Sequence, residues 1–209
     1  MIKLFILILN FLFCSYNESL LSFMNQEGPW IYNETQDGLD IYDLDNDDYP
    51  VIKVEGEYQY SFQDLLDVIM DLDGYNDVIS NSNVYTEFIS SELDTLYGYQ
   101  KVSNFIPFVR NRHIIFKLYK VGNNKIEWKL INKDNSLYHS YKHRRIKELS
   151  LGAGSWEIFE HENGTVKLIH YMYIDADINL PDFILNTAQK RSVVDIFNDV
   201  LNAIERKKR

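Results

Sequence analysis

Three stretches of this 209-residue chain carry side chains whose types and spacing are those of reactive sites. Gly152 and Gly154 stand one residue apart in GAGSWEIFE. Such a pair opens a phosphate-cradling loop when a helix follows, because the amides at the helix N-terminus then face the phosphate. Here no third glycine arrives at the required spacing and no Lys-Ser or Lys-Thr follows. Trp156, Ile158 and Phe159 instead run on as a strand towards the turn HENGT. The two glycines therefore bend a backbone into a strand. His139 and His143 lie four apart in LYHSYKH, as zinc ligands do on a helix, but the stretch reads as a strand and no third ligand is near. Asp43, Asp45 and Asp47 imitate a calcium loop, yet Asp48 stands where glycine is required and Val54 where the bidentate glutamate belongs. Ser155 has no evident histidine or aspartate partner, so a nucleophile is unsupported. No catalytic residue, metal or cofactor is expected.

Composition excludes other classes. The formal net charge is −10, against a nucleic-acid partner, which requires a basic face. The one strongly basic run, ERKKR, closes the chain at the end of an expected helix, where cations oppose the helix dipole. Aromatic residues make up 14% of the chain, including 15 Tyr and 12 Phe, which suits a broad half-buried sheet. The length suits a single domain with a substantial core, expected as a monomer.

The first residues read as an address. MIKLFILILNFLFCS has one cation, Lys3, then an apolar run from Leu4 to Cys14 broken only by Asn10. That run is shorter than the roughly 20 residues a membrane-spanning helix needs, and it fits the apolar part of a secretory signal. The expected division is a signal segment over residues 1–19 and one domain over residues 20–209, with export to the exterior or periplasm. Phe13 and Tyr16 crowd the places where a cleavage site wants small residues; a lipid on Cys14, anchoring the N-terminus to a membrane, and an uncleaved terminus are the alternatives. Cys14 is the sole cysteine, so the domain holds no disulfide. Asn17, Asn33 and Asn163 each begin an Asn-x-Ser/Thr sequon.

The elements follow from period and punctuation. GPWIYNET and LDIYDLD read as short strands about the turn QDG, and YPVIKVEGEY as a longer one. Ser61 caps a helix, Asp64 sits three residues on, and Phe62, Leu65, Leu66, Ile69 and Met70 recur at helical spacing. DLDG stops it, and GYNDVI forms a second short helical turn. From Asn83 to Asp175 the pattern is strand almost throughout, cut by SSELD, FIPFVRN, GNN, KDNS and HENG. After Pro181 one long helix occupies about residues 182 to 206. Lys101, Lys117, Glu127, Lys129 and Lys167 mark the wet parity of their strands, which places the alternate residues inside. The expected architecture is α+β: a strongly curved antiparallel sheet with one covered face, wrapped around the C-terminal helix through Ile184, Ala188, Val194, Phe197, Leu201 and Ile204.

This order of elements, opened by WIYNETQDGLDIY, resembles the StAR-related lipid-transfer (START) domain of the helix-grip superfamily. Four stretches carry the resemblance. DVIMDLDGYNDVI is similar to the family's helix end with a Tyr-containing turn, and FIPFVRNRHIIF to its proline-bearing segment before an Arg-Asp pair. GAGSWEIFE resembles its Gly-Ser-Trp-Glu strand start. TVKLIHYMYIDADINLPDFILNTAQKRSVVDIFNDVL resembles its last strand, Asp, Leu-Pro and C-terminal helix. The match covers roughly residues 28 to 206. Arg112 matches the arginine of the pair, whereas His113 stands where the family has aspartate.

The resemblance implies a hydrophobic ligand, a lipid or sterol, enclosed between sheet and helix for transport or sensing, with transient membrane contact. Strand parity then nominates the cavity wall: Leu96, Gly98, Gln100, Ile114, Phe116, Leu118, Trp128, Leu130, Leu168, His170 and Met172 on the strands, with Ile184 and Ala188 on the helix. Gly98 is expected to leave volume, and Gln100 to want a partner that a lipid head or a water supplies. Two alternatives stay open. Related helix-grip domains act on polyketides as aromatases or cyclases, which here requires His170 or Tyr171 aimed inward as acid or base. A core packed solid makes an interaction module instead.

Overall fold

The computed structural model describes residues 16–25, 28, 30–44, 50–103, 110–131, 137, 141, 146–178 and 180–209. Cys14, the calcium-like Asp45, Asp47 and Asp48, the Pro107 segment, and His139 and His143 lie outside them.

The chain opens with a helix, α1, described over residues 16–24. Three strands follow: β1 (Trp30–Gln36), β2 (Leu39–Leu44) and β3 (Ile52–Tyr58). The turn between β1 and β2 places Asp37 at φ 53° and Gly38 at φ 82°, the left-handed pair a tight hairpin demands. Helix α2 (Phe62–Ile69) begins as the sequence dictates: Ser61 Oγ accepts from Asp64 N at 3.1 Å, and Asp64 Oδ2 accepts from Ser61 N at 3.0 Å. The short α3 (Tyr75–Val78) leads to seven more strands. These are β4 (Val84–Glu92), β5 (Thr95–Val102), β6 (Arg112–Val121), β7 (Lys125–Leu130), the two-residue β8 (Lys147–Glu148), β9 (Gly152–Glu160) and β10 (Val166–Ile174). Helix α4 (Asp182–Lys207) ends the fold.

The strands form one sheet in the order β1-β2-β3-β10-β9-β7-β6-β5-β4, antiparallel along this path, with β8 joined in parallel to β6. The two halves of the chain thus meet where β3 pairs with β10, Val54 opposite His170. Helices α2 and α4 pack on the inner face. Leu65, Val68 and Ile69 of α2, with Val193, Val194, Phe197, Val200, Ala203 and Ile204 of α4, close over Ile41, Val54, Phe116, Leu118, Ile158 and Leu168. This is the expected helix grip.

The outer face departs from expectation. Parity sorts the strands correctly, but the lysine side is covered as well. Leu20, Leu21 and Met24 of α1 are 0–3% exposed and pack on Leu44, Val51, Ala153, Ile169 and Tyr171. Glu127 and Lys129 are buried there, with Lys129 paired to Glu18. Asn25 donates to Glu127 at 3.0 Å and accepts from Lys125 at 2.6 Å. Asn17 is the peg of this arrangement: its amide donates to the carbonyls of Leu130 (3.2 Å) and Ser150 (3.1 Å) and accepts from the amide of Gly152 (3.0 Å). A charged residue on a strand tolerates burial when a neighbouring element brings its partner, and α1 does so.

Candidate functional site

The surface between the concave sheet and α4 is the place the nominated residues define. Ile114, Phe116, Leu118, Leu130, Leu168 and Met172 are buried in the main core, with Leu96 and Trp128 packed against it. His170 joins them, 1% exposed. The structure places the remaining nominations in different surroundings. The space beside Gly98 is not empty: a Cβ there would lie 2.6 Å from Phe116 Cζ and 3.2 Å from Leu72 Cδ1. The glycine exists to admit the Phe116 ring. Gln100 finds a protein partner for one of its N–H groups, donating to Thr86 Oγ1 at 3.1 Å. Ile184 is 40% exposed and Ala188 lies on the exposed side of α4, because the helix makes its buried contacts only from Val193 onward.

GAGSWEIFE is β9 itself, in the centre of the sheet. A Cβ on Gly154 would meet the Tyr171 carbonyl at 2.4 Å and Trp128 Nε1 at 2.6 Å. Its missing side chain lets the Trp128 indole cross the strand, so the motif is structural and cradles no phosphate. Two residues on, Trp156 stacks on His170 with ring centroids 3.9 Å apart and planes 12° apart. Phe197 of α4 lies over Trp156 at 5.7 Å and over Tyr58 at 6.0 Å. Trp156 is absent from the nominated wall because register between strands is not written in either strand alone.

His170 is the chemically distinctive group. Its Nδ1 lies 3.0 Å from the carbonyl oxygen of Ser155, while Nε2 has no hydrogen-bond partner among the described residues. Burial pushes its pKa down to about 4, against the opposing pull of the Ser155 hydrogen bond, so the ring is neutral. An unpaired buried acceptor costs roughly 1–3 kcal/mol. Among the described residues, no nucleophile and no acid–base partner lies within hydrogen-bond reach of its Nε2. Ser155 shares the outward parity of Ala153, and Tyr171 packs outward in the α1 cluster, with Trp30 at 5.4 Å and its hydroxyl on Glu157 at 3.4 Å. Arg112 spends its Nε–H on the Ala176 carbonyl at 3.1 Å, and His113 is buried with its ring centroid 5.6 Å from that of Tyr99.

The described residues also shape an open depression of ≈ 530 Å³ between α2, the β4–β5 turn and the end of β6, lined by Leu66, Met70, Leu96 and Lys120 among others. It lies at the opposite end of β5 from Gln100 and shares only Leu96 with the nominated wall.

The fold is that of START domains, an open curved antiparallel sheet gripping a long C-terminal helix. No family model matches the sequence, and no curated protein sequence matches it. Among solved structures, human STARD10 is similar at a TM-score of 0.69 and 16% identity, over 92% of this chain and 81% of that one. A STAR-related lipid transfer protein fragment from Xanthomonas axonopodis is similar at 0.69 and 14% identity, over 84% and 98%. The Zhui aromatase/cyclase from Streptomyces sp. R1128 shares the architecture at 0.53 and 12% identity, over 76% and 95%. At such identities the likeness is one of fold.

Proposed function

We propose that the protein binds a hydrophobic ligand, a lipid or sterol, between the concave sheet and α4, and carries or senses it. The observation that carries this reading is the uneven seating of α4. From Val193 to Ile204 the helix is packed into the core. From Asp182 to Ser192 it has no buried residue, and Phe183 is 71% exposed. Its first half is tied to the sheet by an exposed-to-half-buried ion pair, Lys190 to Asp43 at 2.9 Å, and by Gln189 reaching the Met172 carbonyl at 3.5 Å. Such contacts are weak beside the burial that holds the second half. The helix can therefore lift at one end while staying anchored at the other, which opens the interior without unfolding the grip.

The likeness to proteins called lipid-transfer proteins supports the ligand class, and the apolar inner wall suits it. The side chains fill much of the interior in the closed form, so the ligand enters as α4 and Phe116 move aside. We further propose that the chain is exported, acts as a monomer and touches membranes only in passing. Export rests on the apolar run before Cys14.

Mass spectrometry of lipids extracted from the purified protein tests the reading. One co-purified lipid class is the expected result. A protein that carries none and takes none from vesicles is a filled interaction module, and conversion of an added polyketide makes it an enzyme.

A further inference from the structure

We propose that the ligand is an uncharged alcohol whose free hydroxyl donates to Nε2 of His170; this rests on the binding reading above. The tautomer decides the direction. A backbone carbonyl only accepts, so the 3.0 Å contact with Ser155 fixes the proton on Nδ1 and leaves Nε2 as a lone pair. That lone pair is buried and has no donor among the described residues. The ring is held flat against Trp156, so it cannot turn away to find one. A neutral acceptor among apolar neighbours recognises a donor with little charge, and a phosphate or an ammonium group would lose its hydration there without compensation.

Position agrees with chemistry. Along β10, Met172 lies under Gln189, in the loosely held half of α4. His170 is two residues further in, stacked on the Trp156 that Phe197 covers, where the firmly packed half begins. A ligand sliding beneath the lifted half of the helix meets His170 at the end of its path. Its apolar body follows, and its hydroxyl leads. Sterols, diacylglycerols and long-chain alcohols have this form; their ethers and esters lack the donor.

The test compares cholesterol with its 3-O-methyl ether, each in phosphatidylcholine vesicles, using the whole folded protein. Wild type is expected to take up the alcohol about tenfold better than the ether, the effect of one well-placed hydrogen bond. His170→Leu is expected to abolish the preference, bringing the alcohol down to the level of the ether in the same variant. On wild type, the ¹⁵N resonance of His170 Nε2 is expected to move on adding the alcohol and stay on adding the ether. Equal uptake of both by wild type, or a preference retained by His170→Leu, overturns the proposal while leaving lipid binding intact. Phosphatidylcholine alone extracted in place of the alcohol does the same. A protein that binds no lipid of any kind removes the binding reading and this proposal together.

Discussion

Trp156 and His170 lie face to face across neighbouring strands, with ring centroids 3.9 Å apart. The stack sets an imidazole in the interior with Nδ1 served and Nε2 without a partner among the described residues, and it gives the core a proton-dependent stability. With a folded pKa of about 4 against an ordinary value near 6.5, the unfolded chain takes up a proton the folded one refuses. The stabilisation is complete above about pH 6.5 and is lost as pH falls towards 4, by about 3 kcal/mol. Urea titrations at steps between pH 7.5 and 4.5 are expected to show this loss in wild type and its absence in His170→Phe. Parallel pH profiles for the two proteins would place the titrating group elsewhere.

Asn17 joins the ends of two strands that share no turn, through Leu130 and Ser150 carbonyls and the Gly152 amide. Asn17→Ala strands these groups, at a cost of about 2–4 kcal/mol in thermal or chemical unfolding. A chain starting at residue 20 loses Asn17 and Glu18 together and is expected to unfold more easily still. On the export proposed above, the leader is expected to be cut before Asn17, which N-terminal sequencing of the mature protein reads directly. A product starting at Leu20 with unchanged stability would show that α1 is dispensable.

The two glycines of the inner face separate by double substitution. Gly98→Ala presses on the tip of the Phe116 ring, a side chain able to move, and is expected to cost about 1–2 kcal/mol. Phe116→Leu in the same chain is expected to recover most of that. Gly154→Ala presses on the Tyr171 carbonyl as well as the Trp128 indole, costs about 3 kcal/mol or more, and gains nothing from trimming Trp128. Independent additivity of Gly98→Ala and Phe116→Leu would mean that the two do not share a space.

The hinged seating of α4 predicts a kinetic effect. In a Cys14→Ser background, cysteines at positions 43 and 190 joined by a short bis-maleimide replace the Asp43–Lys190 ion pair with a covalent tie. Lipid exchange between vesicles is expected to slow at least about tenfold, while the lipid bound at equilibrium stays the same. Exchange at the wild-type rate would locate the entrance away from the first half of the helix.

Much of this architecture is legible in the sequence. The Ser61–Asp64 capping pair, the Asp-Gly hairpin and the start of α4 after Pro181 are local signals, and each stands where its residues put it. Strand parity placed Leu118, Leu168 and His170 inward because alternation is a property of one strand. What parity cannot supply is the neighbour. That Phe116 fills the space of Gly98, and that Trp156 faces His170, depend on register between strands. The covered outer face was hidden for another reason. An amphipathic segment next to an apolar leader-like run reads as part of the leader, and the buried Lys129 reads as solvent-facing until Glu18 is brought to it.

The order of synthesis gives α1 a long wait. Its docking surface is built from Ala153, Ile169 and Tyr171, and the carbonyls that Asn17 seeks belong to residues 130 and 150. The first helix made is thus among the last to be seated. Strands β1 to β3 are in the same position, since β3 joins the sheet through β10. Such non-local closure folds slowly, and the nascent chain stays open until nearly all of it has emerged. On the export proposed above, a chain in that condition is threaded through a translocation pore while still open, and its grip closes on the far side.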